Sequence, residues 1–328
     1  MEIEPNKLIG FINKTFSIKQ NATWKAEDFA AMVALGSAYK TYIETVNNDK
    51  MPNADTLHDR IKKDAEITSL LENFLNITGK QMKKLRGKKV IVAIDITCDP
   101  FFGKETGMWV HGYRSAPGSR GCYKFLALHV IVDNKRYFVY AIPMDIISDQ
   151  TEEIEDALDY IEGFYLKIKA VLIDRGFANS SKTLCMLNKR KVKYLGLYPK
   201  YPNIKKIIKN MKRSFMNRKF KVRGVDTRLV IGKEVRITWT FVTNMEFADF
   251  VKYKKLYKKR WNIETGFRVQ DEAQIKTKST NIRVRYFFFL TALVLYNCWK
   301  SLNVKISFKK FLINLQRGVE NACETKPT

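Results

Sequence analysis

The sequence contains few of the side chains that usually build structural metal sites. Its three histidines are too few and too far apart for a metal cluster, and His129 lies in an apolar stretch where a packed, neutral imidazole is expected. The five cysteines are odd in number and form no closely spaced pair. Both observations argue against a zinc site and a disulfide framework, and they indicate a reducing compartment.

The sequence also lacks a hydrophobic run long enough to span a membrane. Its most apolar window, YFFFLTALVLYNCW at residues 286–299, is shorter than the roughly 20 residues that a spanning helix needs. Arg283, Arg285 and Lys300 bracket this window, so we interpret it as a buried core helix. The first residues contain no long apolar run, so we expect a cytoplasmic protein with no secretion signal and no membrane association.

Acidic residues are scarce relative to basic ones. Lys and Arg number 59 against 33 Asp and Glu, which gives a formal net charge of +26 and an isoelectric point near 9.8. Such a surplus repels itself in the folded state and is most simply explained by a polyanionic partner, with nucleic acid ahead of an anionic membrane surface. We expect a steep loss of DNA affinity with salt if phosphate contacts dominate binding.

Residues 1–86 have helical periodicity but no recognisable catalytic motif. Phe29 and Met32 fall at helical spacing, and Asn53 or Asp55 would cap a short helix. Several small helices ahead of a catalytic body favour a DNA-binding module, such as a helix-turn-helix variant. The alternative is a helical bundle that only packs against the rest of the protein.

From residue 87 the pattern changes to alternating strands and helices. The runs KKVIVAIDIT and AVLIDRGF are typical of strands buried on both faces. Two further strands are predicted around a turn at residues 133–135, and a helix capped by Ser148 or Thr151 is predicted to run to residue 169. The resulting order is strand, strand, strand, helix, strand, helix, strand. It predicts an α/β fold with a mixed sheet and matches the ribonuclease H-like order.

The segment 200–247 interrupts this core. Its first half is intensely basic, and its second half predicts two strands around a turn at Gly232–Lys233. We interpret it as a β-containing insertion. The predicted catalytic core therefore comprises residues 87–199 and 248–328.

Three carboxylates are candidates for a catalytic centre. Asp95 and Asp174 each follow a buried strand, and the ends of neighbouring strands in an open sheet are where sites form. Glu264 lies in the basic stretch YKKRWNIETGFR, which would place it on a helix. Three acids drawn together repel one another unless a cation lies between them, and hard oxygen ligands favour Mg²⁺ or Mn²⁺.

Each acid also has a structural alternative. An aspartate after a strand is a common turn residue, and Glu264 alone would more often form an exposed ion pair with Arg260 or Arg268. Three other acids compete for the catalytic role, and we rank them lower because they lie in a pre-proline loop or near a helix start: Asp99, Asp145 and Asp149.

The motifs together resemble one known family. YKKRWNIETGFR, with Tyr257, Arg260 and Glu264, resembles the Tyr-Arg-Glu-Lys signature of the Asp-Asp-Glu transposases of bacterial and archaeal insertion sequences. AIDITCDPFFG and LIDRGF are similar to the family's two aspartate segments, and RVRYFFFLTALVLYNCW is similar to its closing helix. Asp271 stands where the signature has lysine, and Lys276 or Lys278 would replace that contact.

The resemblance implies a fold, an activity and partners. It implies a ribonuclease H-like core with a β-rich insertion, and Asp95, Asp174 and Glu264 as ligands of two Mg²⁺ ions, for which Mn²⁺ can substitute. It implies a homodimer in the DNA complex of a prokaryotic, nucleoid-associated enzyme. This enzyme cuts inverted-repeat ends in double-stranded DNA and joins the 3′-hydroxyls to target DNA. The DNA contacts would come from Tyr257, Arg260, Arg268, Lys276 and Lys278.

Two other functions remain open at this stage. A resolvase-type nuclease of the same fold would cut DNA but not join it. A DNA-binding repressor, or an inactive transposase relic, would occupy the ends without cutting. Trp109 and Trp239 would stack on an unpaired base beside the cut, although aromatic side chains in strands more often belong to the core. Trp261 is interpreted as a packing residue.

Overall fold

A computed structural model gives the fold of the chain. It describes all residues except 1–5, 17, 19–21, 47–48, 105–106, 114, 134, 303–304 and 325–328; for residues 6, 262 and 320–324 only the backbone is described. The strands are β1 Lys89–Phe101, β2 Gly121–Val132, β3 Lys135–Met144, β4 Lys167–Ile173, β5 Tyr194–Leu197, β6 Phe215–Val222, β7 Val225–Lys233 and β8 Thr238–Thr243. Twelve α-helices accompany the strands in the described residues: α1 Asn6–Thr15, α2 Ala26–Tyr39, α3 Ala54–Asp64, α4 Ile67–Lys83, α5 Gln150–Glu162, α6 Arg175–Ala178, α7 Ser181–Lys189, α8 Pro202–Asn210, α9 Phe250–Lys258, α10 Trp261–Gln270, α11 Ile282–Ser301 and α12 Phe308–Glu324.

The strands form one eight-stranded sheet in the order β3-β2-β1-β4-β5-β8-β7-β6. The β1–β4 and β4–β5 pairs are parallel, and the remaining pairs are antiparallel. The sheet is therefore mixed, and the predicted α/β class is confirmed. The turn predicted at residues 133–135 joins β2 to β3, although Asn134 itself lies outside the described residues.

Helices cover both faces of the sheet. On one face, α5, α7 and α8 bury apolar residues such as Leu158, Leu187 and Ile204 against the strands. On the other face, the N-terminal helices share one core with α9 to α12. Helix α11 lies at the centre of that second core and is buried over most of its length, as predicted for the most apolar window. No helix in the part of the chain that the structure describes has the length and apolar character needed to cross a lipid bilayer.

The boundaries of α5 differ from the prediction. Asp149, rather than Ser148 or Thr151, caps the helix, because its side chain accepts a hydrogen bond from the backbone N–H of Thr151 at 2.9 Å. The helix ends at Glu162 and the chain enters β4 at Lys167. The apolar residues after Glu162 therefore belong to the connection and the strand.

The basic segment contains more strand than predicted. The turn is at residues 234–237, between β7 and β8, and not at Gly232–Lys233, which belongs to β7. An additional strand, β6, pairs with β7 and forms the edge of the sheet. All three strands of this segment extend the core sheet.

Candidate active site

The register of the sheet brings Asp95 and Asp174 to the same level. Strands β1 and β4 run parallel with Ala93 opposite Leu172, so the residue two positions further along each strand is an aspartate. Asp174 directly follows β4 and caps the short helix α6, with its Oδ1 accepting the Phe177 N–H at 3.1 Å. The two aspartates consequently lie just beyond the carboxyl ends of the paired parallel segments. The prediction that Asp95 ends its strand is wrong, because β1 continues to Phe101 through its pairing with β2.

Glu264 reaches this edge from a pair of short helices. The stretch YKKRWNIETGFR is not one continuous helix: α9 ends at Lys258, and α10 begins at Trp261. Between them, the N–H of Arg260 bonds to the Tyr257 carbonyl at 2.8 Å, three residues back, which tightens the chain into a turn. Helix α10 then packs against β1 and brings Glu264 toward the aspartates.

Arg260 connects the candidate residues. Its guanidinium donates to Asp95 Oδ2 at 2.9 Å, to Glu264 Oε1, and through Nε to the Tyr257 hydroxyl at 2.8 Å. The Arg260 side chain is 8% exposed, whereas that of Glu264 is 48% exposed. Tyr257, Arg260, Asp95 and Glu264 therefore form one hydrogen-bonded group that is open to solvent on the Glu264 side.

The electrostatics link all three acids. Burial raises the pKa of Asp95 to about 6; the Arg260 charge opposes this shift, and the charges of Asp174 and Glu264 add to it. Burial likewise raises the pKa of Tyr257 to about 12, and the same two carboxylates contribute to the rise. A further positive charge at this edge would relieve the repulsion among the acids.

A cavity of about 580 Å³ opens beside these residues. Asp174, Glu264 and Arg260 line it on one side, and Lys200 and Trp261 line it elsewhere. Trp261 packs on Trp239 but is 46% exposed, so its interpretation as a packing residue describes only part of the side chain. The sequence offered no signal for this exposure, because it depends on the break between α9 and α10 at Arg260, which no glycine or proline marks.

Trp239 and Trp109 lie in different surroundings. The Trp239 ring lines the same cavity and lies 5.9 Å from that of Trp261, but it is largely buried and donates to Glu234 at 3.2 Å. Trp109 packs against the hydrophobic core.

The remaining predicted DNA contacts are exposed. Arg268 lies on the solvent side of α10. Lys276 and Lys278 stand over the Tyr42 ring of the N-terminal region, at 5.9 and 5.8 Å from its centroid. Together with Asp271 they line a separate cavity of about 850 Å³, and neither lines the cavity of Asp174 and Glu264.

The three competing acids have structural partners. Asp99 is paired with Arg285 at 2.6 Å, Asp145 accepts hydrogen bonds within its own turn from the Ser148 N–H and hydroxyl, and Asp149 caps α5 and pairs with Lys182. These contacts account for each residue without catalysis.

A glycine in α10 sets how closely that helix approaches the sheet. A Cβ on Gly266 would come within 3.0 Å of the imidazole carbon Cε1 of His129 and would lie 3.2 Å from its Nε2. His129 is fully buried on β2, as predicted for a packed imidazole, and its ring is held against Phe138 with centroids 3.7 Å apart. Only glycine at position 266 lets α10, and with it Glu264, lie this close to β2.

The donor set can be compared with what a divalent metal requires. Two aspartates and a glutamate offer the hard oxygen ligands that Mg²⁺ and Mn²⁺ prefer. Burial is the main cause of the raised pKa of Asp95, and the charges of Asp174 and Glu264 make a smaller contribution in the same direction. Within the described residues, no three His, Cys, Asp or Glu side chains are spaced closely enough to hold an ion. The Arg260 guanidinium is the cation that two of these acids contact. The residues fit a divalent metal in their chemistry.

Comparison with solved structures concerns the fold. The cryo-EM structure of the piggyBac transposase synaptic complex with hairpin DNA is similar over 99% of this chain and 83% of that chain, with a TM-score of 0.61 and 12% sequence identity. At this identity the similarity concerns the fold alone, and it confirms the predicted ribonuclease H-like fold.

The family follows from the sequence itself. Residues 86–298 match the family model described as the transposase DDE domain, and the chain belongs to this family. The prediction of a transposase-family protein is thereby confirmed. No curated protein sequence is significantly similar to the chain.

Proposed function

We propose that this protein is a DNA transposase that cuts the inverted-repeat ends of a prokaryotic insertion sequence and joins the 3′-hydroxyls to target DNA. The observation that supports this is the contact of Arg260 with both Asp95 and Glu264, beside a cavity that Asp174 also lines, within a domain of the transposase DDE family. The net charge of +26 fits a polyphosphate partner. The neighbour with a related fold is a synaptic complex with hairpin DNA.

Asp95, Asp174 and Glu264 would hold the divalent metal, in the proposal two Mg²⁺ ions that Mn²⁺ can replace. When bound, such ions activate a water or 3′-hydroxyl, stabilise the departing oxygen and orient the scissile phosphate. The side chains of this site bind and orient the DNA. Lys200 and Trp261 form the approach to the acids, and the partly exposed Glu264 marks the entrance.

In this proposal Arg260 binds carboxylates in the free protein and a DNA phosphate in the complex. In the free protein it neutralises Asp95 and Glu264, and in the DNA complex it would turn toward a backbone phosphate near the cut. A guanidinium suits both tasks because its planar donors fit carboxylate and phosphate equally well. The buried Tyr257 hydroxyl accepts a 2.8 Å hydrogen bond from Arg260 Nε. In the proposal this bond is kept while the end of the guanidinium turns from the carboxylates to the phosphate.

The other predicted features belong to the same proposal. Residues 1–86 would help to bind the ends, the core would comprise residues 87–199 and 248–328, and residues 200–247 would form the insertion. Arg268, Lys276 and Lys278 would contact DNA further from the cut, with the two lysines replacing the signature lysine missing at Asp271. The active form would be a homodimer on DNA, in the nucleoid of a prokaryotic cytoplasm.

The test uses linear DNA that carries the sequences flanking the gene, with Mg²⁺ or Mn²⁺, and follows nicking at the ends and joining to a plasmid. Asp95→Asn, Asp174→Asn and Glu264→Gln each remove a ligand charge with little change of shape. Glu272→Gln, on the exposed turn after α10, is the matched control. We expect the parent and the control to cut and join, and the three variants to bind DNA but remain inactive.

The rival functions predict other results. Cutting without joined products would indicate a resolvase-type nuclease. Binding of the ends without any cutting by the parent would indicate a repressor or an inactive relic. Full activity in any of the three site variants would refute the site assignment.

A further inference from the structure

The strongest feature outside the candidate site is a concentration of positive charge in one segment. Residues 200–223 contain ten lysines and arginines and no aspartate or glutamate, namely Lys200, Lys205, Lys206, Lys209, Lys212, Arg213, Arg218, Lys219, Lys221 and Arg223. All ten are exposed. In the described structure only Lys221 of this set has an ion-pair partner, the exposed Asp226 at 3.6 Å. The other nine charges of the segment therefore repel one another and have no ion-pair partner in the described chain.

Helix α8 presents part of this charge on a fixed face. Ile204 is completely buried, and Ile207 and Ile208 pack against the same core, so one side of the helix is anchored to the sheet. Lys205, Lys206 and Lys209 fall on the opposite side within about 100° of one another at 100° per residue. These charges are held on a rigid element rather than on a loop.

The charged surface continues to the candidate active site. The charged surface starts at Lys200, which follows β5 and lines the cavity of Asp174 and Glu264. It ends at β6, which lies three strand positions from β5 in the sheet. Three strand spacings amount to about 14 Å, somewhat less than half a turn of B-DNA. Between α8 and β6 a groove of about 1190 Å³ is lined by Lys206, Lys212, Arg213 and Arg218. Its only acid, Glu246, is already paired with Arg228 at 2.8 Å.

Protection of the sheet edge explains only part of this pattern. Charged residues on β6 would prevent another strand from pairing with the edge of the sheet. The lysines of α8 lie on a helix, so protection of the sheet edge does not explain them. A polyanion that crosses both elements accounts for the helix and the strand together.

We propose that the surface formed by α8, the following turn at Lys212–Arg213, and β6 binds the phosphate backbone of duplex DNA that leaves the candidate active site past Lys200. This inference rests on the proposed function and adds a second DNA contact to it, outside the carboxylate site. Lysine and arginine on this surface contact phosphates and read no bases, so binding here is independent of DNA sequence.

The test compares two sets of four lysines. The surface variant changes Lys205, Lys206, Lys209 and Lys212 to Gln, which retains helix propensity. The control variant changes four exposed lysines at or near the amino ends of the central parallel strands, on the side away from Asp95 and Asp174: Lys89, Lys167, Lys169 and Lys193. Both variants lose four charges. Binding of a labelled duplex is measured by fluorescence anisotropy from about 50 to about 200 mM salt, and thermal unfolding verifies the fold of each variant.

We expect the surface variant to bind at least about tenfold more weakly and its salt slope to fall by about 3 to 4, since each phosphate contact contributes about 0.9. The control should keep the parental slope. Arg218→Gln with Lys219→Gln, on β6, provides a second variant and should lower the slope by about 2.

Three outcomes would overturn the inference. If the surface and control variants lose equal affinity for the duplex, only net charge matters. If the surface variant binds the duplex as tightly as the parent, DNA does not contact α8. If the surface variant loses binding to phosphatidylserine vesicles but keeps DNA binding, the surface recognises membranes instead. The first two results leave the proposed transposase intact, whereas a parent that neither binds nor cuts DNA refutes both proposals.

Discussion

Replacing Gly266 by alanine tests whether the approach of α10 to β2 sets the position of Glu264. The added Cβ would lie within 3.0 Å of His129 Cε1, whereas carbon atoms pack at about 3.5 to 4.0 Å. The His129 ring cannot retreat, because it is fully buried and packed on Phe138 and Tyr296. Helix α10 must therefore move by about 1 Å, and Glu264, two residues away, moves with it.

Two opposing contributions determine the expected change in the free energy of unfolding of Gly266→Ala. Overpacking costs about 1 to 3 kcal/mol, and alanine in place of glycine within a helix returns about 1 kcal/mol, so the net loss should not exceed about 2 kcal/mol. The effect on chemistry should be larger, because a displacement of about 1 Å at a reacting centre can cost about 100-fold in rate. We expect Gly266→Ala to fold, to bind DNA and to cut it about 100-fold more slowly.

The assays are thermal unfolding and single-turnover nicking of end DNA in Mn²⁺. Gly10→Ala is the matched control, since a Cβ there meets nothing within 4 Å and should only stabilise α1. His129→Ala in the Gly266→Ala background removes the obstructing ring and should restore much of the nicking rate. A Gly266→Ala protein with parental stability and rate would refute the proposed steric control, and so would a double variant with no recovery.

Two further substitutions test interactions beneath the site. Burial, with smaller effects from Arg136 and Lys300, holds the pKa of His129 well below its usual 6.5, so the folded protein keeps it neutral while the unfolded chain protonates. The stability that depends on this histidine is complete above pH 6.5 and is lost as the pH falls, at about 1.4 kcal/mol per pH unit, or about 2 kcal/mol by pH 5. Urea titrations from pH 7.5 to 5 should show this loss relative to His129→Leu, and parallel curves would contradict it. Asn297 bonds both the N–H and the carbonyl of Phe138, at 3.0 and 2.7 Å, so Asn297→Leu leaves two buried groups unpaired and should cost about 2 to 4 kcal/mol in urea unfolding, whereas a loss below about 1 kcal/mol would contradict this role.

The parts of the fold that follow a clear period were predictable. The apolar runs before Asp95 and Asp174 gave the two parallel strands, and the alternation of strands and helices gave the class of sheet. Strand β6 was missed because its alternating apolar positions, Met216, Phe220 and Val222, are separated by cations that look like a solvated loop. The Arg223–Gly224 pair was the available signal: both residues have positive φ, and they join β6 to β7 in the manner of a two-residue hairpin turn.

The candidate site was predictable as a set of acids but not as a geometry. No glycine or proline marks the break between α9 and α10. The turn at Arg260 coincides with a contact to Asp95, 165 residues away in the chain. The exposure of Trp261 follows from that break. Likewise, nothing local in the sequence indicates that Gly266 faces His129, because the two residues meet only once β2 and α10 have packed.

The shared core of the N-terminal helices and α11 has a consequence for the order of events during synthesis. A growing chain that has emerged through Asp174 already contains two of the three acids, but the helices α1 to α4 still lack α11, against which their apolar residues pack. Glu264 and α11 emerge later, and the N-terminal helices must then pack against α11, a non-local step that slows folding. We therefore expect the ribosome-bound chain to lack the assembled acid site until the segment with Glu264 and α11 has emerged, and the proposed cutting activity would begin only after that point.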